Sequence, residues 1–424
     1  MSAEAENQDR FCDAAGRPTL WVVSELYYPE ETSTGYYMTR TAEGLTDSFT
    51  VKALCGQPNY SSRGTRAPKH EIRRNVEIFR AAGTTLNKNV IAFRLINMIT
   101  LSISIFLKGI FRFRAGDQVL VVTTPPSLPF VVAVAALIRG ASYTLVIHDN
   151  YPEILFAVGK LKSDSIIATI LNFSNRWLYK HARKLIAVGR DMERLLLSKS
   201  DGLDIPVAVI QNWAELESVH PEPRDSNQLL KDLGLEDKFV FLYAGNMGHP
   251  NDVETIIETA RRLRERPEFH FVFLGTGVKE KWIRAAIDEL KLENIDLLSP
   301  KPRSEQIVFL NACDVALVSL VGNMLGVSMP SRTYNILAAG KPMLALTDPA
   351  SELANVIDED RVGWHVRPGN ADELTQIILE IYESRADLPS YGERARTSAL
   401  NKYSLETAIA KYRRELVYWD PESA

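Results

Sequence analysis

Strand-like apolar runs alternate with helix-length segments from one end of this 424-residue chain to the other, and few architectures accommodate that pattern. A strand that is apolar along its whole length is covered on both faces, as parallel strands joined by crossover helices are. In the first half the pattern predicts strands near 19–24, 50–54, 76–79, 118–123, 142–148, 184–188 and 206–210, with helices near 35–46, 127–139, 163–181 and 190–199. In the second half it predicts strands near 239–244, 269–274, 294–298, 314–318, 342–346 and 362–366. Helices are predicted there near 251–266, 279–291, 304–311, 331–339, 351–357 and 370–384. The length exceeds one ordinary core, so two doubly wound α/β domains are expected. Residues 212–227, ending in HPEPRDSN, combine prolines and charges without periodicity, as a linker does. The organisation expected is a disordered tail over 1–17, a first domain over 18–214, a linker over 215–227, a second domain over 228–403 and a terminal helical segment over 404–424. Leu405, Ile409, Tyr412, Leu416 and Trp419 would share one face of that last helix, which must dock and is expected to cross back onto the first domain. Open α/β sheets take ligands at their strand C-termini, so a site in a cleft between the two domains is expected.

Composition narrows the class. Hydrophobic residues make up 46% and charged residues 24%, values of a globular protein. The net charge of −4 argues against a dedicated nucleic-acid binder. Cys12, Cys55 and Cys313 are odd in number and far apart, which fits a reducing cytoplasm with neither disulfides nor a zinc site. The opening MSAEAENQDR has no apolar stretch, so no signal peptide is expected. Leu95 to Leu107 is shorter than the roughly 20 residues of a bilayer span, and Pro125, Pro126 and Pro129 divide the run from Val119 to Ile138. No membrane-spanning segment is expected. Arg94, Lys108, Arg112 and Arg114 nevertheless flank or follow 95–107, where Leu95, Met98, Leu101 and Ile105 can share a face. With the basic loop of Arg63, Arg66, Lys69, Arg73 and Arg74, this reads as a surface for anionic lipid headgroups, or else as a core helix beside a solvated loop.

One stretch carries candidate chemistry: SMPSRTYNILAAGKPMLAL at 328–346. Ser331 is placed to cap a short helix, Gly340 to end it in left-handed geometry, and Met343 to Leu346 to form a buried strand. A helix N-terminus beside a strand end attracts anions, and Arg332 adds a fork suited to phosphate oxygens. The other reading is an ordinary turn with a surface arginine. Asp358, Glu359 and Asp360 look superficially like a metal-binding triplet but close a helix near a turn, and read as solvated charge.

PSRTYNILAAGKP, YAGNMGHPNDVETIIE, FLGTG, VIQNW and HDNYPE occur in the order found in GT-B-fold glycosyltransferases of family GT4. The resemblance is to the branch that assembles bacterial capsule, O-antigen and exopolysaccharide units, and spans roughly residues 19–419. It implies a GT-B fold of two Rossmann-like domains, a nucleotide-sugar donor (a UDP-sugar favoured) on the second and an acceptor on the first. It also implies transfer with retention, without a metal or cofactor. Arg332 then matches a donor-diphosphate contact, and Val327, Ser328 and Met329 match a loop whose amides approach the phosphates and donor sugar. Gly245, Asn246, Met247 and Gly248 match the turn that admits the diphosphate, and Gly275, Thr276 and Gly277 a turn near the nucleoside; each also reads as a plain turn. In the first domain Thr32, Ser33, Thr34 and Gly35, after Glu30 and Glu31, match a loop facing phosphates and acceptor, or simply cap a helix. His148 and Asp149 match polar groups near the anomeric carbon, Asp149 being the stronger candidate for stabilising positive charge there or orienting the acceptor hydroxyl, with Glu153 a weaker one; Asp149 also reads as a plain helix cap.

The pattern also departs from the family. The two glutamates with seven residues between them are replaced by Val327 and Asn335, and a basic pair after the first donor-domain strand by Asn246, His249 and Asn251. Asn335 retains hydrogen-bonding capacity toward the ribose, and Glu352 is either a substitute ribose acid or an ordinary helix-start glutamate. The reading is a hexosyltransferase-type enzyme of cell-surface polysaccharide synthesis. Its acceptor would be a saccharide or a polyprenyl-pyrophosphate-linked saccharide, at the cytoplasmic face of the cell membrane, with no nucleic-acid partner. The alternatives are a GT-B sugar-nucleotide epimerase and a non-catalytic subunit that binds nucleotide sugars.

Overall fold

A parallel strand in the middle of a sheet needs apolar residues on both faces, and the strands that are apolar throughout occupy the middle of two sheets. The computed structural model describes residues 16–58, 66–86 and 91–417. Strands β1 (Thr19–Ser24), β2 (Thr50–Cys55), β3 (His70–Arg73), β4 (Val76–Arg80), β5 (Gln118–Val122), β6 (Ser142–Ile147), β7 (Lys184–Ala187) and β8 (Val207–Val209) form one sheet, in the order β3-β4-β2-β1-β5-β6-β7-β8. Only the β3–β4 pairing is antiparallel. Helices α1 (Ser33–Gly44), α2 (Ile91–Arg112), α3 (Leu128–Arg139), α4 (Glu153–Ala157), α5 (Ile166–Lys180) and α6 (Arg190–Lys199) accompany it along the chain. The path from β1 to β2 steps across the sheet in the opposite sense to the path from β4 through β8. With right-handed crossovers, α1 covers one face while α2, α3, α5 and α6 share the other.

The second sheet contains β9 (Phe239–Ala244), β10 (Phe269–Leu274), β11 (Ile295–Leu298), β12 (Val315–Ser319), β13 (Met343–Leu346) and β14 (Gly363–Val366), all parallel, in the order β11-β10-β9-β12-β13-β14. Its helices are α7 (Gln228–Leu233), α8 (Val253–Arg262), α9 (Glu280–Leu290), α10 (Gln306–Asn311), α11 (Arg332–Ala338), α12 (Glu352–Asp360), α13 (Ala371–Glu383) and α14 (Leu388–Lys402), and α15 (Leu405–Val417) ends the described chain.

The chain divides into two units. One gathers the described residues of Met1–Tyr151, Ile166–Gln211 and Ala408–Ala424; the other gathers Pro152–Ser165 and Asn212–Thr407. The segment expected as a linker is therefore ordered chain of the second unit. Trp213 and Val219 are buried, and the Ala214 N–H donates to the Tyr403 carbonyl (2.8 Å). The Glu215 N–H donates to Asn335 Oδ1 (2.9 Å) and the Glu222 N–H to Asn311 Oδ1 (3.0 Å). Prolines and charges removed the periodicity but not the order, because side-chain amides satisfy a backbone that no ladder satisfies.

Several local expectations need correction. Part of the basic loop is β3, joined to β4 by a two-residue turn in which Arg74 and Asn75 both have positive φ (47° and 63°). Arg73 and Arg74 both pair with Glu43, leaving Arg66 and Lys69 exposed. The apolar segment at 95–107 lies inside a 22-residue helix, α2, which by length and composition alone could cross a membrane. Asp360 is no solvated charge: its side chain is 5% exposed and accepts from Ser398 Oγ and Lys402 Nζ. Those donors lie on α14, a helix that the weak apolar periodicity of its sequence did not announce. Ile409, Tyr412 and Leu416 of α15 are buried as expected, and a Cβ on Gly44 would stand 2.6 Å from Ile409. Residues 1–15, Arg63 and Trp419 lie outside the described residues.

Candidate active site

Alternate residues of FVFLYA and FHFVFL are aromatic, and the register of β9 and β10 sets Phe239 beside Phe269, Phe241 beside Phe271 and Tyr243 beside Phe273. Phe241 and Phe271 stack with ring centroids 5.2 Å apart. This ladder ends in Tyr243, fully buried, whose hydroxyl donates to the Asn246 carbonyl (2.8 Å). Arg332, the first residue of α11, lays its guanidinium over the Tyr243 ring at 4.7 Å. Gly245 makes the space for it: a Cβ there would stand 2.7 Å from Arg332 Cζ, and its φ of +149° itself favours glycine. Arg332 Nη2 reaches Asn251 Oδ1 at 3.5 Å, while Nη1 is buried without a hydrogen-bond partner among the described residues. Leaving such a donor unpaired costs about 1–3 kcal/mol, so the position calls for an acceptor oxygen. Ser319 Oγ, at the end of β12, and Thr333 Oγ1, next to Arg332, are also buried and unpaired among the described residues.

The other turn residues hold this arrangement together. A Cβ on Gly275 would stand 2.0 Å from the Gly245 carbonyl oxygen, and one on Gly277 would stand 2.4 Å from that of Met247. These glycines let the two turns pack backbone to backbone. Met247 is buried and its N–H donates to the Thr276 carbonyl (2.9 Å), so that amide is not turned to a phosphate. Thr276 Oγ1 donates to Glu280 in the first turn of α9 (2.7 Å). Gly248 is buried, Asn246 is exposed, and the Asn246 carbonyl also accepts from Asn251 Nδ2 (3.0 Å).

Three donor-side expectations are corrected. Val327 is buried against Leu320 and Met324, and its N–H already donates to the Met324 carbonyl (3.0 Å). Asn335 is buried with its amide committed inside the protein: Oδ1 accepts from the Glu215 N–H, and Nδ2 donates to Glu215 Oε1 (2.9 Å) and Gln306 Oε1 (2.8 Å). A buried amide must be satisfied internally, and this one fastens the 212–227 segment. Ser331 is already in helical geometry and makes no capping hydrogen bond through its side chain. Ser328 is half-buried and Met329 buried, while Glu352 is buried in the first turn of α12, just past β13.

Sequence reasoning missed two cations. The Lys279 ammonium bridges the Asn251 carbonyl (2.7 Å) and Glu254 (2.8 Å) beside the Gly245–Gly248 turn. Burial, then Lys160 and Lys279, hold the His249 pKa below its ordinary value, so both lysines lie near that turn. The lysine closing GTGVK was the available signal; nothing local pointed to Lys160.

In the first unit, Thr123 Oγ1, just past β5, accepts from the His148 N–H (3.2 Å) and donates to the Asp149 carbonyl (3.2 Å). The backbone beyond β6 is thereby fixed. Asp149 caps no helix: α4 starts at Glu153 with Pro152 before it and no side-chain cap. Burial raises the Asp149 carboxyl to about 6 and lowers the His148 ring to about 4, so the histidine is neutral where the aspartate is ionised. Glu153 falls in Pro152–Ser165, with the second unit. Thr32 caps α1, accepting from the Gly35 N–H (3.4 Å). Gly35 is buried, with room for no Cβ beside the Glu30 carbonyl (2.8 Å). Ser33 is exposed and Thr34 half-buried at the same helix start.

Two parallel-sheet α/β units, one carrying a half-buried arginine over an aromatic ladder at its strand ends, have the fold of GT-B glycosyltransferases, and solved structures agree. The structure of Anabaena HepE in complex with UDP-glucose is similar with a TM-score of 0.70 at 15% identity, covering 95% of this chain and 100% of that one. The Glycosyl transferases group 1 family matches residues 225–398. The probable glycosyltransferase WbjE of Pseudomonas aeruginosa is 31% identical over 400 residues, 93% of this chain and 96% of that protein. The putative colanic acid biosynthesis glycosyl transferase WcaI of Escherichia coli (strain K12) is 24% identical over 283 residues, 65% of this chain and 68% of that protein. The chain belongs to the group 1 glycosyltransferases.

Proposed function

We propose that this enzyme is a retaining, metal-independent hexosyltransferase of the GT4 type that uses a UDP-sugar, in the synthesis of cell-surface polysaccharide. The observation that carries the donor assignment is Arg332, with one buried donor unpaired, held over Tyr243 in the space left by Gly245. A diphosphate oxygen would accept from that donor, and the fixed charge would stabilise the leaving nucleoside diphosphate as the bond to the anomeric carbon breaks. The acceptor hydroxyl attacks from the face the diphosphate leaves, its proton passes to the departing phosphate oxygen, and configuration is retained. Ionised Asp149 stabilises the positive charge that develops on the sugar. Because Arg332 meets the leaving charge, no metal is needed at that step. The acceptor fitting this reading is a saccharide on a polyprenyl pyrophosphate, and the place a cytoplasmic protein peripheral to the inner face of the cell membrane. HepE has been solved with UDP-glucose, and WcaI is named for colanic acid synthesis; both fit this reading.

The test supplies labelled UDP-, GDP- and dTDP-sugars to the chain with lipid extract, with chelator present, beside Arg332→Ala. Transfer from one donor, with the anomeric configuration conserved by NMR and a loss of about 100-fold or more in the variant, is expected. Loss of activity with the chelator, or an inverted product, would overturn the metal or the retention assignment. Binding of a nucleotide sugar without turnover toward any acceptor would leave a non-catalytic binding subunit.

A further inference from the structure

Helix α2 is apolar on two sides. One side is inside the first unit: Leu101 and Ile105 are buried, Asn97 exchanges hydrogen bonds with the backbone of Leu86, and Ser102 Oγ bonds Ser127 Oγ beside α3 (2.8 Å). Gly109 brings it closer still, since a Cβ there would stand 3.1 Å from that of Ala135. The other side is a line of exposed Ile99, Ile103, Leu107 and Phe111 at four-residue steps, Phe111 being 82% exposed. It does not stand alone. Helix α3, which packs on both α2 and α5, exposes Ile138, and α5 exposes Ile170 and Phe173, the latter 76% exposed.

The charge on these helices names an occupant. In a chain with 53 acidic residues, α2, α3 and α5 hold none. They carry Arg94, Lys108, Arg112, Arg139, Arg176 and Lys180 instead. Lys108 is held below its ordinary pKa by burial and by neighbouring Arg112 and Lys69, so the positive groups are crowded together. Two copies of such a face would repel each other, whereas an anionic lipid surface would attract it. We infer that the outer faces of α2, α3 and α5 form one monotopic docking surface, on which the first unit sits in the headgroup layer of an anionic phospholipid bilayer. Helix α2 lies in the plane of the membrane rather than across it. To cross, it would have to give up its packing on α3 and expose the bonds of Asn97 and Ser102 to hydrocarbon. The inference deepens the lipid-linked acceptor reading and rests on it for its purpose, while its observations are independent of the donor site.

The test is flotation of the full chain with vesicles of phosphatidylcholine, with and without about one-third phosphatidylglycerol. Co-flotation with the anionic vesicles, release by high salt or alkaline carbonate, and a loss of about tenfold or more in apparent affinity in the double variant Ile170→Glu, Phe173→Glu are expected. An unchanged circular-dichroism spectrum and Tm show that the variant is folded. Absence of flotation, or flotation indifferent to the double substitution, would overturn the inference. Resistance to carbonate would overturn the in-plane placement of α2, and a dimer that the double variant splits would assign the face to a second copy. Transfer to a water-soluble saccharide acceptor separates the two readings: it survives if only docking fails, and flotation without it leaves docking standing and the transfer reading refuted.

Discussion

Gly245 and Arg332 are 87 positions apart in sequence and share one volume of space. Replacing Gly245 with alanine would bring a methyl group to 2.7 Å from Arg332 Cζ, on a backbone with φ of +149°, so the guanidinium must move. Gly245→Ala is expected to stay folded by circular dichroism and to lose about tenfold or more in nucleoside-diphosphate affinity, which is about 1.4 kcal/mol. Asp149 is expected to set the acid side of the pH profile. Its carboxyl is pushed up to about 6, and under the proposed mechanism the ionised form would stabilise positive charge on the sugar. The kcat/KM should therefore fall about tenfold per pH unit below about 6, and the Asp149→Asn profile should be low and flat across that range. A wild-type profile with no acid limb there would remove Asp149 from the reacting centre. Arg332 was legible in the sequence because Pro-Ser-Arg before a glycine-terminated helix is a local signal. The commitment of Asn335 was not, because its partners Glu215 and Gln306 are distant in sequence and belong to segments without regular periodicity.

At the scale of elements, α11 carries the site and other elements hold it. A Cβ on Gly392 of α14 would stand 2.5 Å from the Gly340 carbonyl oxygen just past α11, and the Tyr334 and Tyr403 rings meet at 5.1 Å. From its other side Asn335 binds the 212–227 segment. Asn335→Ala would strand the Glu215 N–H and the Gln306 amide oxygen, and leave the Glu215 carboxylate to Arg303 alone among the described residues. It is expected to lower stability by about 1–3 kcal/mol, read as a fall in Tm, while nucleotide affinity of the folded protein changes less than about twofold. A large loss of affinity at unchanged Tm would return Asn335 to the donor site. The strands were legible because fully apolar runs between turn residues have one interpretation in an alternating chain. Helix α14 and the ordered 212–227 segment were not. Their structure comes from single hydrogen bonds and glycine contacts to elements far along the chain, and neither leaves a periodic trace.

For the whole molecule, the sequence already contained the two-sheet architecture, since alternation and length together allow little else. It did not contain the grouping of Pro152–Ser165 with the second unit, a departure of the chain path with no compositional mark. Nor did it reveal the exposed apolar line on α2, because Leu101 and Ile105 of the inner side and Ile99 and Ile103 of the outer side are chemically alike and only packing separates them. In the proposed function the second unit holds a nucleoside diphosphate at Arg332. Calorimetric titration with UDP and with uridine, on the wild-type chain and on Arg332→Ala, tests that most directly. The expected result is that UDP binds the wild type much more tightly than uridine does, and that Arg332→Ala reduces UDP to about the affinity of uridine. UDP affinity unchanged by the substitution would contradict the account.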